Sequence, residues 1–139
     1  MKRILILICF ISLIQNHEAS TEGSLNQTKP MIKLTIFYPN GEGKTFDMDI
    51  YENKHMPMLK EIYGSTLKKL EIDKGISGRT PDEPIPFLAI GYLYYESIEA
   101  YQEIFKPNAD RILGDIPNYT NITPFVQVSE VIESSSFEF

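Results

Sequence analysis

The chain has no tryptophan, a single cysteine and only two histidines in 139 residues. The cysteine, Cys9, lies in an apolar run at residues 4–14 near the start of the chain. With that run set aside no thiol remains, which excludes a disulfide framework, a thiolate metal site and a cysteine nucleophile. His17 falls in the same leading region, so His55 is the one imidazole of the body of the chain. One histidine with carboxylates is a poor transition-metal set, and no haem-attachment motif is present. The Gly41-Glu42-Gly43 triplet lacks a third glycine and a helix beginning on it, so it is not a dinucleotide fingerprint. The expectation is a chain with no cofactor and no metal. Basic charge is also short: 13 Lys and Arg stand against 19 Asp and Glu, a net charge of −6. Such a chain carries no footprint for a phosphate backbone, and nucleic acid is not an expected partner.

What the leading region does have is the order of a secretory signal: Lys2-Arg3, the apolar run, then polar residues 15–24. The run is too short for a stable membrane span, which needs about 20 residues. Residues 1–23 are therefore expected to be a signal peptide and leader, cleaved near Ala19-Ser20 or near Gly23, with an uncleaved N-terminal anchor as the alternative. The implied setting is periplasmic or extracellular, with no membrane span left after cleavage. Residues 24–30 form a polar connector and 133–139 a Ser-rich flexible tail. Between them, residues 31–132 form one domain; at 42% hydrophobic and 12% aromatic residues the chain has enough apolar matter for a core.

Along this domain the patterning alternates between periods. Residues 31–38 place Ile32, Leu34, Ile36 and Tyr38 opposite Lys33, Thr35 and Phe37, the two-residue period of a strand, ended by Pro39-Asn40-Gly41. A helix is expected from Asp47, which can cap it, to Gly64, with a kink at Pro57. Residues 67–74 alternate as an edge strand does, and 75–86 are too rich in Gly and Pro to be other than a loop. Residues 87–95 are apolar throughout, the mark of a central strand covered on both faces. Ser97 caps a second helix bearing Ile98, Tyr101 and Phe105, which Pro107 is expected to close, with a short further helix at 108–114. A turn at 115–120 leads to a last strand within 121–131.

The order is βαββαβ, an α+β ferredoxin-like antiparallel sheet with helices on one face. Because the central strand is apolar on both sides, something must cover the sheet's other face. A second copy of the same sheet is the simplest cover, so a homodimer through sheet faces is expected.

The first helix carries the candidate chemistry. Met48, Tyr51, His55, Met58, Leu59 and Ile62 recur at three- and four-residue steps, so the one histidine sits on the apolar stripe. An imidazole facing a pocket can accept or donate a proton near neutral pH, although a histidine satisfied by a core partner is the commoner case. Tyr51, one turn earlier, is placed to share a hydrogen bond with it.

The runs at 32–40 (IKLTIFYPN), 46–49 (FDMD), 51–57 (YENKHMP), 89–95 (AIGYLYY) and 115–122 (DIPNYTNI) resemble the EthD family of dimeric α+β barrel proteins over essentially residues 31–131. The resemblance implies a ferredoxin-like protomer paired sheet to sheet, with a pocket between helices and sheet. Members are often labelled reductases, while related barrels host several cofactor-free chemistries, so fold alone does not choose among them. The leader departs from the family, whose small members are usually cytoplasmic.

Two functions follow. The first is an exported small-molecule enzyme doing acid/base or redox chemistry on an apolar or aromatic compound. His55 and Tyr51 are its candidate catalytic residues, and Tyr38, Met58, Tyr92, Tyr94, Tyr119 and Asn121 its candidate pocket. The second is a non-catalytic dimeric module that holds an apolar ligand or serves a partner enzyme. Tyrosines in such a barrel are also ordinary core or interface residues.

Overall fold

The computed structural model describes residues 30–135. The expected signal peptide and leader, almost all of the connector and the last four residues of the tail lie outside them. Four strands, β1 (Ile32–Pro39), β2 (Lys69–Lys74), β3 (Phe87–Tyr95) and β4 (Phe125–Glu130), form one antiparallel sheet in the order β2-β3-β1-β4. Each βαβ passage crosses over one helical layer, giving the ferredoxin-like α+β arrangement that the element order implied.

The strand parity sets which side chains meet the helices. Leu34 pairs with Leu93 and Ile36 with Gly91, so Leu34, Ile36, Tyr38, Ala89, Leu93 and Tyr95 share the inner face. Phe37, Ile90, Tyr92 and Tyr94 point to the outer face, where each is only half-buried. β3 is thus covered on one side by helices and on the other by no part of the described chain.

The first helical segment departs from simple periodicity. Asp47 Oδ1 accepts from Ile50 N at 3.0 Å and starts α1 (Met48–Ile50). A π-turn follows at Tyr51–His55, and then α2 (Met56–Tyr63) runs to Gly64, whose φ of +50° only glycine adopts readily. Pro57 has no amide hydrogen for the Asn53 carbonyl. The chain accommodates this with a wide turn just ahead of it, in which Met56 N donates to Tyr51 O, five residues back. The extra residue changes the stripe: both His55 and Met56 turn inward, followed by Leu59 and Tyr63, whereas Met58 and Ile62 are only half-buried.

Ser97 Oγ accepts from Ala100 N at 3.1 Å to cap α3 (Ile98–Gly114). Pro107 does not close this helix, and residues 108–114 are not a separate one. A proline in mid-helix sacrifices one backbone bond, but continuing the helix buries Ile112, and Asn108 Nδ2 bonds the Ile104 carbonyl at 2.8 Å beside the break. Similarly β2 starts at Lys69 rather than Leu67, because a 3₁₀ turn at Gly64–Thr66 uses the intervening chain. No helix among the described residues is long and apolar enough to cross a membrane.

Candidate active site

The turn after α3 and the π-turn of the first helix meet over the end of the sheet. A 3₁₀ turn, Ile116–Asn118, presents Asp115, Asn118 and Tyr119 from one short stretch. It is anchored to the approach to α1 by Asp47 N donating to Tyr119 O at 2.7 Å and by a bridge between Phe46 and Thr120. Asn121 completes the anchor: its Oδ1 accepts from Thr45 N at 2.9 Å and its Nδ2 donates to Gly43 O at 2.8 Å.

His55 is 3% exposed, and its Nδ1 lies 2.8 Å from Asp115 Oδ2. An ionised carboxylate can only accept, so Nδ1 carries the proton and the lone pair lies on Nε2. Burial lowers the imidazole pKa below its ordinary value, against the pull of Asp115. The carboxyl of Asp115 is raised by burial but lowered further by hydrogen bonds from His55 and from Asn118 Nδ2, the latter at 2.7 Å, so it titrates below its ordinary value. The resting pair is a neutral imidazole steered by a carboxylate.

A cavity of about 270 Å³ lies between the inner sheet face and helices α2 and α3. His55, Tyr38 and Tyr119 stand at one part of its wall, and the rest is mostly apolar, including Leu34, Leu59, Phe105 and Ile112, with Tyr63 and Tyr101 also lining it. The Tyr38 and Tyr119 hydroxyls are 2.8 Å apart, and the Tyr119 ring lies 4.7 Å from the imidazole between centroids. Burial raises the pKa of both hydroxyls, so they stay protonated in the range where His55 titrates.

Of the residues the sequence suggested, His55, Tyr38 and Tyr119 come together at this cavity. Tyr51 does not hydrogen-bond His55. Their rings stack at 5.7 Å and 13°, Nδ1 being engaged by Asp115, while the fully buried Tyr51 hydroxyl packs against Gly91 with no hydrogen-bond partner among the described residues. Met58 is rotated off the cavity by the π-turn. Tyr92 and Tyr94 fall on the outer sheet face by strand parity, where Lys33 and Lys69 lie over their rings and Tyr94 donates to Glu71 at 2.9 Å. Asn121 faces a separate shallow groove of about 850 Å³ beyond Tyr119, bounded also by Lys44 and Lys74. That groove is larger but open, and the buried imidazole does not line it. Asp115 was missed as a site residue; its place at the head of a turn gave no sign of a partner sixty positions away. No group of three or more His, Cys, Asp or Glu arranged to hold a metal occurs among the described residues.

Residues 40–123 match the family model of the EthD domain. An EthD-like protein from Ralstonia eutropha JMP134 is 37% identical with a TM-score of 0.74, the match covering 78% of this chain and 97% of that one. An ethyl tert-butyl ether D (EthD) family protein from Bacillus halodurans C-125 is 18% identical with a TM-score of 0.49, covering 70% and 96%. A DABB family protein with a ferredoxin-like fold from Mesorhizobium loti MAFF303099 is 13% identical with a TM-score of 0.44, covering 76% and 99%. No curated protein matches the chain.

Proposed function

The chain belongs to the EthD family, and on that premise we propose that it is an exported small-molecule enzyme that works by acid/base chemistry on an apolar or aromatic compound held between helices and sheet. The observation that carries this is the His55–Asp115 hydrogen bond at 2.8 Å, on an imidazole that lines an apolar cavity. A neutral, carboxylate-steered imidazole in a water-poor site is a general base with its lone pair free. Asp115 is the positioning residue. Export rests on the leading sequence alone, whose charged, apolar and polar order is that of a secretory signal.

The homodimer is part of the same proposal. Its support is the outer sheet face, where Phe37 stacks on Phe125 at 5.1 Å and packs on Phe87 at 5.3 Å, beside half-buried Ile90 and Tyr92. A contiguous aromatic and aliphatic face of this kind favours an apolar partner surface.

One observation favours a binding module instead: His55 is bonded to Asp115 and Tyr38 to Tyr119, contacts that hold these side chains in place structurally without any ligand. Turnover separates the two. Product formation from a bound aromatic compound, lost in H55Q, is the result expected of the enzyme. Tight binding without product, or turnover equal in H55Q, overturns the catalytic reading.

A further inference from the structure

At one part of the cavity wall His55, Tyr38 and Tyr119 meet, three groups that differ in what they can do with a proton. Resting on the reading of this cavity as a site of acid/base chemistry, we infer that its substrate is an enolisable carbonyl compound on an apolar ring-sized body. His55 Nε2 removes the proton α to the carbonyl, and the Tyr38–Tyr119 hydroxyl pair donates to the carbonyl oxygen.

Counting hydrogens leads to the second half of this assignment. The two hydroxyls carry two hydrogens, and one of them occupies the 2.8 Å bond between the oxygens. The other makes no bond of ordinary hydrogen-bond length among the described residues. The buried Tyr51 hydroxyl, its ring 5.5 Å from that of Tyr38 between centroids, is near enough to interact with Tyr38 but forms no such bond. A buried hydroxyl hydrogen without an acceptor is unfavourable, and a substrate oxygen entering the cavity supplies one. Because the second hydroxyl bonds the first, charge growing on that oxygen is shared along a chain of two donors.

The protonation states fit these roles. Burial holds the tyrosines protonated and therefore able to donate, and holds His55 neutral and therefore able to accept. Groups whose surroundings push their proton affinities apart in this way divide naturally into acid and base. Away from this patch Leu34, Leu59, Phe105 and Ile112 offer apolar contact, beside Tyr63 and Tyr101. The volume, about 270 Å³, sits at the small end of ligand pockets and suits one or two fused rings.

The step balances without an oxidant. The α C–H bond breaks, its proton goes to Nε2, its electron pair forms the enolate C=C bond, and negative charge moves to the oxygen that the tyrosines face. The imidazolium, opposite Asp115, then returns the proton to the same carbon or to a conjugated one. The net result is exchange or isomerisation.

Deuterium incorporation tests this, with the full chain in D₂O and β-tetralone, a bicyclic aromatic ketone, as probe. Binding of β-tetralone and of naphthalene, which lacks the carbonyl, is measured in parallel by calorimetry. The expected result is exchange at the α carbons that falls ~100-fold or more in H55Q. Y38F and Y119F should each lower it ~10-fold, because the remaining hydroxyl then has its own hydrogen free, and the double variant should lower it further. Near-ultraviolet circular dichroism checks that each variant keeps its packed core. If both probes bind but exchange is no faster than with H55Q, the inference is overturned while the cavity remains a binding site. If neither probe binds, the reading of the cavity falls with it.

Discussion

Asp115 Oδ2 accepts a hydrogen bond from His55 Nδ1 at 2.8 Å across sixty positions of sequence. It joins the π-turn of the first helix to the turn after α3, and fixes which imidazole nitrogen faces away from the carboxylate. Asp115→Asn tests both functions. Losing the charge should destabilise the fold by only about 1–2 kcal/mol, since Asp115 is partly exposed and solvent screens it. It should also shift the His55 titration to lower pH, because the carboxylate is what pulls that pKa upward. Proton NMR of the imidazole across pH reads this directly, and an unchanged or raised titration midpoint in D115N contradicts the pairing.

The same pair predicts how stability responds to acid. The folded-state pKa of His55 lies below its unfolded value of ~6.5. Above that value both states hold a neutral imidazole and the group contributes no pH dependence. As pH falls below ~6.5, the unfolded chain takes up a proton that the fold resists, and stability drops by up to ~1.4 kcal/mol per pH unit until the folded pKa is reached. Asp115, depressed in the fold, contributes stability that is lost only at lower pH, below ~4. Thermal unfolding of the chain and of His55→Gln from pH ~7 to pH ~5 should therefore diverge, the variant being flatter. Parallel curves would count against a buried neutral imidazole.

Tyr51 and Gly91 form a second dependent pair. A side-chain carbon on Gly91 would collide with the Tyr51 hydroxyl and brush the Met56 side chain, so the strand runs bare beneath the helix at this residue. Gly91→Ala should destabilise by about 1–3 kcal/mol through overpacking. Tyr51→Phe removes a buried hydroxyl without a partner and should be neutral or stabilising by up to ~1 kcal/mol. With both changes present, part of the G91A loss should return, because the oxygen it struck is gone. Urea unfolding of the single and double variants gives the coupling, and strict additivity would show that the collision is relieved elsewhere.

These relationships also mark what could be read from the sequence. β3 at 87–95, the Asp47 and Ser97 caps and the stop at Gly64 follow from local chemistry, and the structure has them where the residues placed them. Pro57 signalled a disturbance, but a 3.6-residue repeat carries no register for a π-turn, so Met58 was expected where Met56 lies. A strand apolar throughout hides its parity, so nothing local said that Tyr92 and Tyr94 turn away while Leu93 turns in. The partnership of His55 with Asp115 is non-local, and only the packing of two turns against each other brings it about.

The outer sheet face supports the last prediction. Phe125 is 52% exposed on β4, yet its ring stacks on Phe37 at 5.1 Å and meets Phe87 at 6.1 Å. Within one protomer such a residue contributes little burial, so replacing it should barely change the stability of an isolated chain. In a dimer paired through this face it stands among the aromatics that the second sheet would cover, and a carboxylate there would have to be desolvated without a partner. Phe125→Glu should therefore weaken association by ~10-fold or more, with thermal stability of the dissociated protomer changed by less than ~1 kcal/mol. Sedimentation equilibrium over a range of concentrations measures the first effect and dilute-solution unfolding the second. A dimer as tight in F125E as in the parent chain would move the interface off this face, and a parent chain monomeric at every concentration would remove the dimer altogether.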